Sequence, residues 1–254
     1  MSRTDRVVDG ITAMILDGSL APGDRLPVEK DLAATLGVSR GSLREGVRAL
    51  SVLGVVDSRQ GDGTYVTSLD PSLLVAPLGL VVELQGAGHA LHVHTVRRML
   101  ETEVAGLAAS NAARAGEALA RAREALDDSA ATLAARPLLT GGPRARGSRA
   151  AEGEGAAAPD PADHEALLEA DIAFHRALAE AAANPVLGAL VEALAGRTAR
   201  HRLWRGITQA GADERTQDEH EAILDAVLAG DPERARVRMA AHLLEVEDFL
   251  RAQG

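Results

Sequence analysis

The residues with most chemical reach in this chain are imidazoles and one carboxylate. Asp171 and His175 stand four apart, a spacing that puts both on one face of a helix. His220 and His242 fall on two later helical segments. Three imidazoles and a carboxylate converging inside a helical bundle make a divalent metal site, with zinc the first choice and nickel or manganese as alternatives. Four protein ligands leave room for a water or for the carboxylate of a small molecule. The plainer reading is that these are scattered helix histidines, which suits His89, His92, His94 and His164; an Asp–His pair at this spacing decides little by itself. A second constellation is cationic. Arg40, Arg44 and Arg48 recur every four residues along one face of a predicted helix that begins at Ser39. Arginine grips guanine O6 and N7 bidentately, or clamps phosphate. In isolation such a row is a solvated helix face, here with Glu45 and Asp31 as ion partners.

Composition narrows the field. The 254 residues are 46% hydrophobic and 25% charged, ordinary for one or two globular domains. The absence of cysteine excludes disulfides, thiolate metal sites and cysteine nucleophiles. One Trp, one Tyr and two Phe leave the core to aliphatic residues and rule out an aromatic base-stacking platform. A net charge of −10 argues against nucleic-acid binding, but it is unevenly spread. Residues 1–70 carry −2 and the remainder −8, whereas residues 39–50 carry +2. The start of the chain lacks the apolar run of a signal peptide, and the apolar stretch Leu73–Val82 is broken by Pro77 and Gly79, so a cytoplasmic protein without a membrane span is expected.

These side chains must be positioned by two different kinds of structure. Val7, Val8, Ile11, Met14 and Ile15 give a first amphipathic helix ending near Asp17. Leu32, Ala33 and Leu36 mark a second, stopped by Gly37, and the third runs from Ser39 through Leu50. The period then changes: Val55–Val56 and Thr64–Val66 flank Arg59-Gln60-Gly61-Asp62-Gly63, two short strands around a glycine-rich hairpin loop. Three helices and a hairpin form a winged helix-turn-helix over residues 1–69. A linker is expected over 70–76, at Asp70-Pro71, and an all-α antiparallel bundle over 77–254. Its helices are predicted at about 90–113, 116–135, 163–183, 186–208, 214–229 and 232–252, with a mobile loop at about 137–161.

The stretch Ile15 to Pro27, then Leu32-Ala33, Leu36-Gly37-Val38-Ser39-Arg40, Leu43-Arg44-Glu45, Leu50 and Gly61-Asp62-Gly63-Thr64-Tyr65-Val66, resembles the GntR family of bacterial transcription regulators across the whole first domain. The resemblance implies that Arg40 and Arg44 contact bases, with Lys30, Ser39, Gly41, Ser42 and Arg48 close to DNA and the wing residues Gln60, Gly61 and Gly63 reaching the minor groove. Two positions depart from the family pattern. Lys30 replaces a common arginine and so suits phosphate rather than base readout, and Val28 replaces a common helix-capping serine.

In the second half, Arg97-Arg98-Met99-Leu100-Glu101, Asp171-Ile172-Ala173-Phe174-His175, Asn184-Pro185, Glu219-His220-Glu221 and His242-Leu243 resemble the FCD effector domain of the FadR subfamily. That resemblance implies metal ligation by Asp171, His175, His220 and His242. It also implies an effector pocket lined by Arg97, with Asn184 among the matching residues. His201, which forms a cluster with Arg200 and Trp204 on the predicted helix 186–208, is a further pocket candidate from the residues themselves, set against the solvated face that Arg- and His-rich helix surfaces usually form. Arg97 could equally form a helix-surface pair with Glu101, and a shift of helical phase would give its place to Arg98. Thr95 stands where the family often has an acid.

The function implied is a homodimeric transcription regulator, expected to repress, whose affinity for an inverted-repeat operator on double-stranded DNA responds to a small organic acid bound near the metal. The alternative is a metal-dependent hydrolase, since three His and an acid can activate water. Against an enzyme stands the lack of a G-x-S-x-G or H-E-x-x-H motif, and a helix would aim Glu219 and Glu221 away from the face of His220. A third possibility is a DNA-binding structural protein whose metal only stabilises the bundle.

Overall fold

The computed structural model describes residues 2–73, 75, 89–136 and 161–253. The expected loop at 137–161 lies outside them but for its last residue, as do residues 77–88, the expected first dozen of the second domain. The chain forms two compact units, Met1–Leu84 and Gln85–Gly254.

In the N-terminal unit, α1 (Arg3–Leu16), α2 (Glu29–Leu36) and α3 (Arg40–Val52) precede a hairpin of β1 (Val56–Arg59) and β2 (Gly63–Val66). Each helix boundary has a local cause. Ser2 and Asp5 form a reciprocal capping box on α1, the Ser2 amide donating to Asp5 at 2.8 Å and the Asp5 amide to Ser2 Oγ at 3.0 Å. Gly37, at φ +64°, ends α2 in the left-handed conformation that glycine adopts without steric cost. The Val28 side chain makes no capping bond, as its departure from serine implied. Helices α1 and α3 meet at Gly46, where a Cβ would stand 2.5 Å from the Val7 side chain. Val7, Ile11, Leu20, Leu26, Leu32, Leu43, Leu50, Val56 and Val66 close the core beneath them.

The hairpin is antiparallel, pairing Val56 with Val66 and Arg59 with Gly63, so the turn is tighter than the expected five-residue loop. The segment before α2 adds a third rung: Leu26 donates to Thr64 at 2.8 Å, and Arg25 bridges Tyr65. Arg25 also donates to the Asp62 carbonyl and packs where a Cβ on Gly63 would fall, which holds the wing to the helical body.

The C-terminal unit is all helix among the described residues: α4 (Ala90–Asn111), α5 (Gly116–Ala135), α6 (Pro161–Ala181), α7 (Pro185–Thr208), α8 (Ala212–Leu228) and α9 (Pro232–Gln253). Its core is built from small and aliphatic side chains, with Phe174 as its one buried aromatic ring apart from the histidines. The Asp231-Pro232-Glu233 start of α9 is confirmed by the Arg234 amide donating to Asp231 Oδ1 at 3.0 Å. Alanine-rich faces at Ala105, Ala108, Ala122, Ala177 and Ala181 let the helices approach closely around that interior.

Candidate metal centre and nucleic-acid interface

Helices α6, α8 and α9 deliver Asp171, His175, His220 and His242 to one point. One ligand atom from each lies within 4.8 Å of all the others, and the three imidazoles are buried. The Nε2 atoms of His220 and His242 are 3.2 Å apart, while Asp171 Oδ1 is 3.7 Å from His220 Nε2 and 3.8 Å from His175 Nε2. Ligands about 2.1 Å from a shared ion would be separated by about 3.4 Å in a tetrahedron, so the donor set fits a divalent metal.

The far nitrogens explain why Nε2 faces inward. His242 Nδ1 contacts Glu219 Oε2 at 2.7 Å, and His175 Nδ1 contacts Glu101 Oε2. Carboxylates behind metal-facing imidazoles orient the rings and raise their basicity. His220 is held instead by stacking on Phe174, ring centroids 4.4 Å apart. Burial pushes His220 well below its ordinary pKa, with His242 and His175 adding to the shift; burial also lowers His242, although Glu219 opposes it. Both rings are therefore neutral at pH 7, the form that binds metal. Burial alone would raise Glu101, but Arg97 and His175 beside it hold its carboxyl well below the usual range.

One expectation needs correcting here. Glu219 does not point away from the ligands: one residue before His220 on α8, it reaches across to His242 on α9. Glu221 does turn away, to Arg123. Of the histidines read as scattered along helices, two lie in the interior. His94 and His164 are buried, and both nitrogens of His94 lack a hydrogen-bond partner. His164 Nδ1 is 3.0 Å from Asp213 and 3.2 Å from Arg136.

Arg97 is fully buried, so its pairing with Glu101 is an interior one rather than a helix-surface pair; the Arg97 Nε donates to Glu101 at 2.7 Å and Nη1 to Thr198 Oγ1 at 2.6 Å. Arg98 is turned instead to Glu247. His201 is half-buried, its ring 6.2 Å from that of His94; Trp204 is exposed and forms no buried cluster with it. Asn184 is not brought to the centre. It is exposed at the start of α7, where its side chain accepts the Leu187 amide at 3.1 Å. Thr198 is 14 residues along the same helix, about 21 Å at 1.5 Å per residue. The residues missed by sequence reasoning are Arg202, paired with Asp171, and Arg205, both lining the cavity beside the ligands. Their i, i+3 spacing on α7 was the available signal.

On the N-terminal unit, Lys30, Ser39, Arg40, Gly41, Arg44, Arg48, Gln60 and Gly61 are exposed, and Ser42 and Gly63 half-buried. Ser39 caps α3, accepting the Ser42 amide at 3.1 Å. Arg44 is engaged by Glu29 through Nε and Nη2 at 3.0 Å, not by Glu45 or Asp31; Glu45 accepts from Thr4 instead.

Comparison with known proteins places these two units. The model for bacterial regulatory proteins of the gntR family matches residues 3–66, and the FCD domain model matches residues 118–245. The HTH-type transcriptional regulator LutR of Bacillus subtilis (strain 168) is 34% identical over 243 residues, covering 93% of this chain and 96% of LutR. An Escherichia coli (strain K12) protein named for regulation of an L-lactate dehydrogenase operon is 28% identical, covering 94% of this chain and 83% of its own length. A solved Streptococcus agalactiae GntR structure shares the fold at TM-score 0.66 and 23% identity, covering 96% of this chain and 99% of that one.

Proposed function

The chain belongs to the GntR family of DNA-binding transcription regulators and carries an FCD domain, and from that premise we propose that it is a cytoplasmic, homodimeric repressor of the FadR subfamily, controlled by a small carboxylate bound at a divalent metal. Its relatives are regulators rather than enzymes, so the hydrolase alternative has no support. The observation that carries the proposal is the convergence of four buried or half-buried donor atoms from three helices. Asp171, His175, His220 and His242 would hold the ion, zinc first. The metal would supply an open coordination position for one carboxylate oxygen. Arg97 lies behind Glu101 and would oppose the same acid from the α4 side.

At the other unit, Arg40 and Arg44 would read bases in the major groove. Lys30 and Arg48 would hold phosphates, the Ser39–Ser42 turn would approach the backbone, and Gln60, Gly61 and Gly63 would enter the minor groove. The acid changes operator affinity only by its differential affinity for the two states of the dimer, typically about 5- to 150-fold. The test pairs elemental analysis with operator binding by fluorescence anisotropy, using L-lactate as the first probe. Purified protein should carry one metal per chain, His175→Ala should lose it, and lactate should shift operator affinity only in the metal-loaded parent. Unchanged metal content in the variant, or no small acid that shifts the affinity, rejects the proposal.

A further inference from the structure

The cavity beside the metal ligands holds a buried arginine that makes no ion pair among the described residues. Asp171, His220, His242, Arg202, Arg205, Asp213 and Thr216 all contribute to its lining. Four of the charges in and around it cancel in two pairs: Arg202 with Asp171, and Asp213 with Arg136 at 2.8 Å. Arg205 is different. It is 4% exposed, yet its bonds are to neutral groups only, Nε donating to Gln209 Oε1 at 3.1 Å and Nη1 to Thr216 Oγ1 at 3.5 Å. Its Nη2 is buried and has no partner, and among the described residues no carboxylate forms an ion pair with it. Burial accordingly disfavours its charge, only partly offset by the more distant Glu219, Glu245 and Asp213.

A buried guanidinium stays charged, and leaving it uncompensated in the interior is costly unless something arrives to pair with it. The partner must be anionic and must come through the cavity that also opens on the metal ligands. We propose that Arg205 anchors a second acidic group on the effector, so that the molecule sensed is a short dicarboxylate bound at the metal centre by one end and at Arg205 by the other. This rests on the effector reading above and narrows it. The span suits a short chain, because Arg205 is one turn beyond Arg202 on α7, about 4.5 Å of helix rise. The apolar remainder of the lining, Leu126, Leu167, Leu203 and Val246, would cover the carbon skeleton between the two ends.

The test uses a matched pair of 2-hydroxy acids, L-lactate and L-malate, which share a head group and differ by the second carboxylate. Calorimetric titration of the zinc-loaded full-length protein should show malate binding at least tenfold tighter than lactate. Arg205→Met should erase that advantage, weakening malate far more than lactate. The same variant should melt no lower than the parent without ligand, since it removes an unpaired buried charge, an outcome that a purely structural role for Arg205 forbids. Arg205→Lys, which keeps the charge, should retain part of the malate preference and guards against a misfolded Met variant. Lactate binding with no malate advantage, or equal weakening of both acids by Arg205→Met, overturns the proposal while leaving the effector reading in place. Binding of neither acid overturns the dicarboxylate proposal, while the effector reading falls only if no small acid shifts operator affinity.

Discussion

Each imidazole at the centre is aimed by the group behind it, and that group is where the chemistry can be tuned without touching a ligand. Glu219 holds His242 through Nδ1 at 2.7 Å. Glu219→Gln keeps an oxygen that can accept from Nδ1 but removes the charge that raises ring basicity. Metal affinity, measured by competition with a chromophoric chelator, should fall about 10- to 100-fold; an unchanged affinity would mean that His242 needs no orienting carboxylate. His94 shows the opposite design. Burial, followed by Arg97, Arg202 and His201, pushes its pKa down to about 3, with Glu101 opposing. Below pH 6.5 the unfolded chain therefore takes up a proton that the folded chain refuses, so stability falls with pH between about 6.5 and 3. The slope for one such group is about 1.4 kcal/mol per pH unit. His94→Leu, compared with the parent by urea unfolding in excess chelator between pH 7 and 5, should show a shallower pH dependence by about that amount. Parallel slopes would place the acid sensitivity in His220 and His242, which shift the same way.

The recognition element carries a conflict of its own. In the free protein Arg44 spends two donors on Glu29 of α2, and each partner favours the charged form of the other. Base contact therefore requires Arg44 to leave Glu29 or to use its three remaining N–H donors. Arg44→Ala should lower discrimination between operator and a scrambled duplex by about 5- to 150-fold, the range for losing one bidentate base contact. Glu29→Gln should strengthen binding to both duplexes, because it releases the guanidinium and removes a negative charge near the phosphates. Full selectivity in Arg44→Ala would move readout to Arg40. The helices themselves were legible because caps and periods are local: Ser39, Gly37 and Asp231 each end or start an element through bonds to residues within four positions. The Glu29–Arg44 pair was not, since it joins two helices 15 residues apart at an angle that no periodicity encodes. Asn184 failed for a related reason: a residue that starts a helix is committed to its cap, and a 24-residue helix carries it far from the site at the other end.

At the scale of the whole molecule, the metal cluster and its setting divide along the same line. The four candidate ligands were visible because a motif fixes residue type and spacing, while Glu101, Arg202 and Arg205 reach their neighbourhood only when α4 and α7 pack against α6 and α8. Net charge has the same dependence on placement. The chain as a whole is −10, but three arginines against one glutamate on residues 39–50 leave a locally positive face. Phosphate binding in this molecule must come from few cations. With Lys30, Arg40, Arg44 and Arg48 in each protomer of the proposed dimer, counterion release sets a limit of about −7 on the slope of log affinity against log salt. Engagement of Arg44 with Glu29 or with a base, instead of phosphate, brings it nearer −5. Titration of an operator duplex between 50 and 300 mM salt measures it directly. A slope steeper than −7 would require cations outside the recognition helix and Lys30, with Arg25 and Arg59 exposed beside the hairpin as candidates.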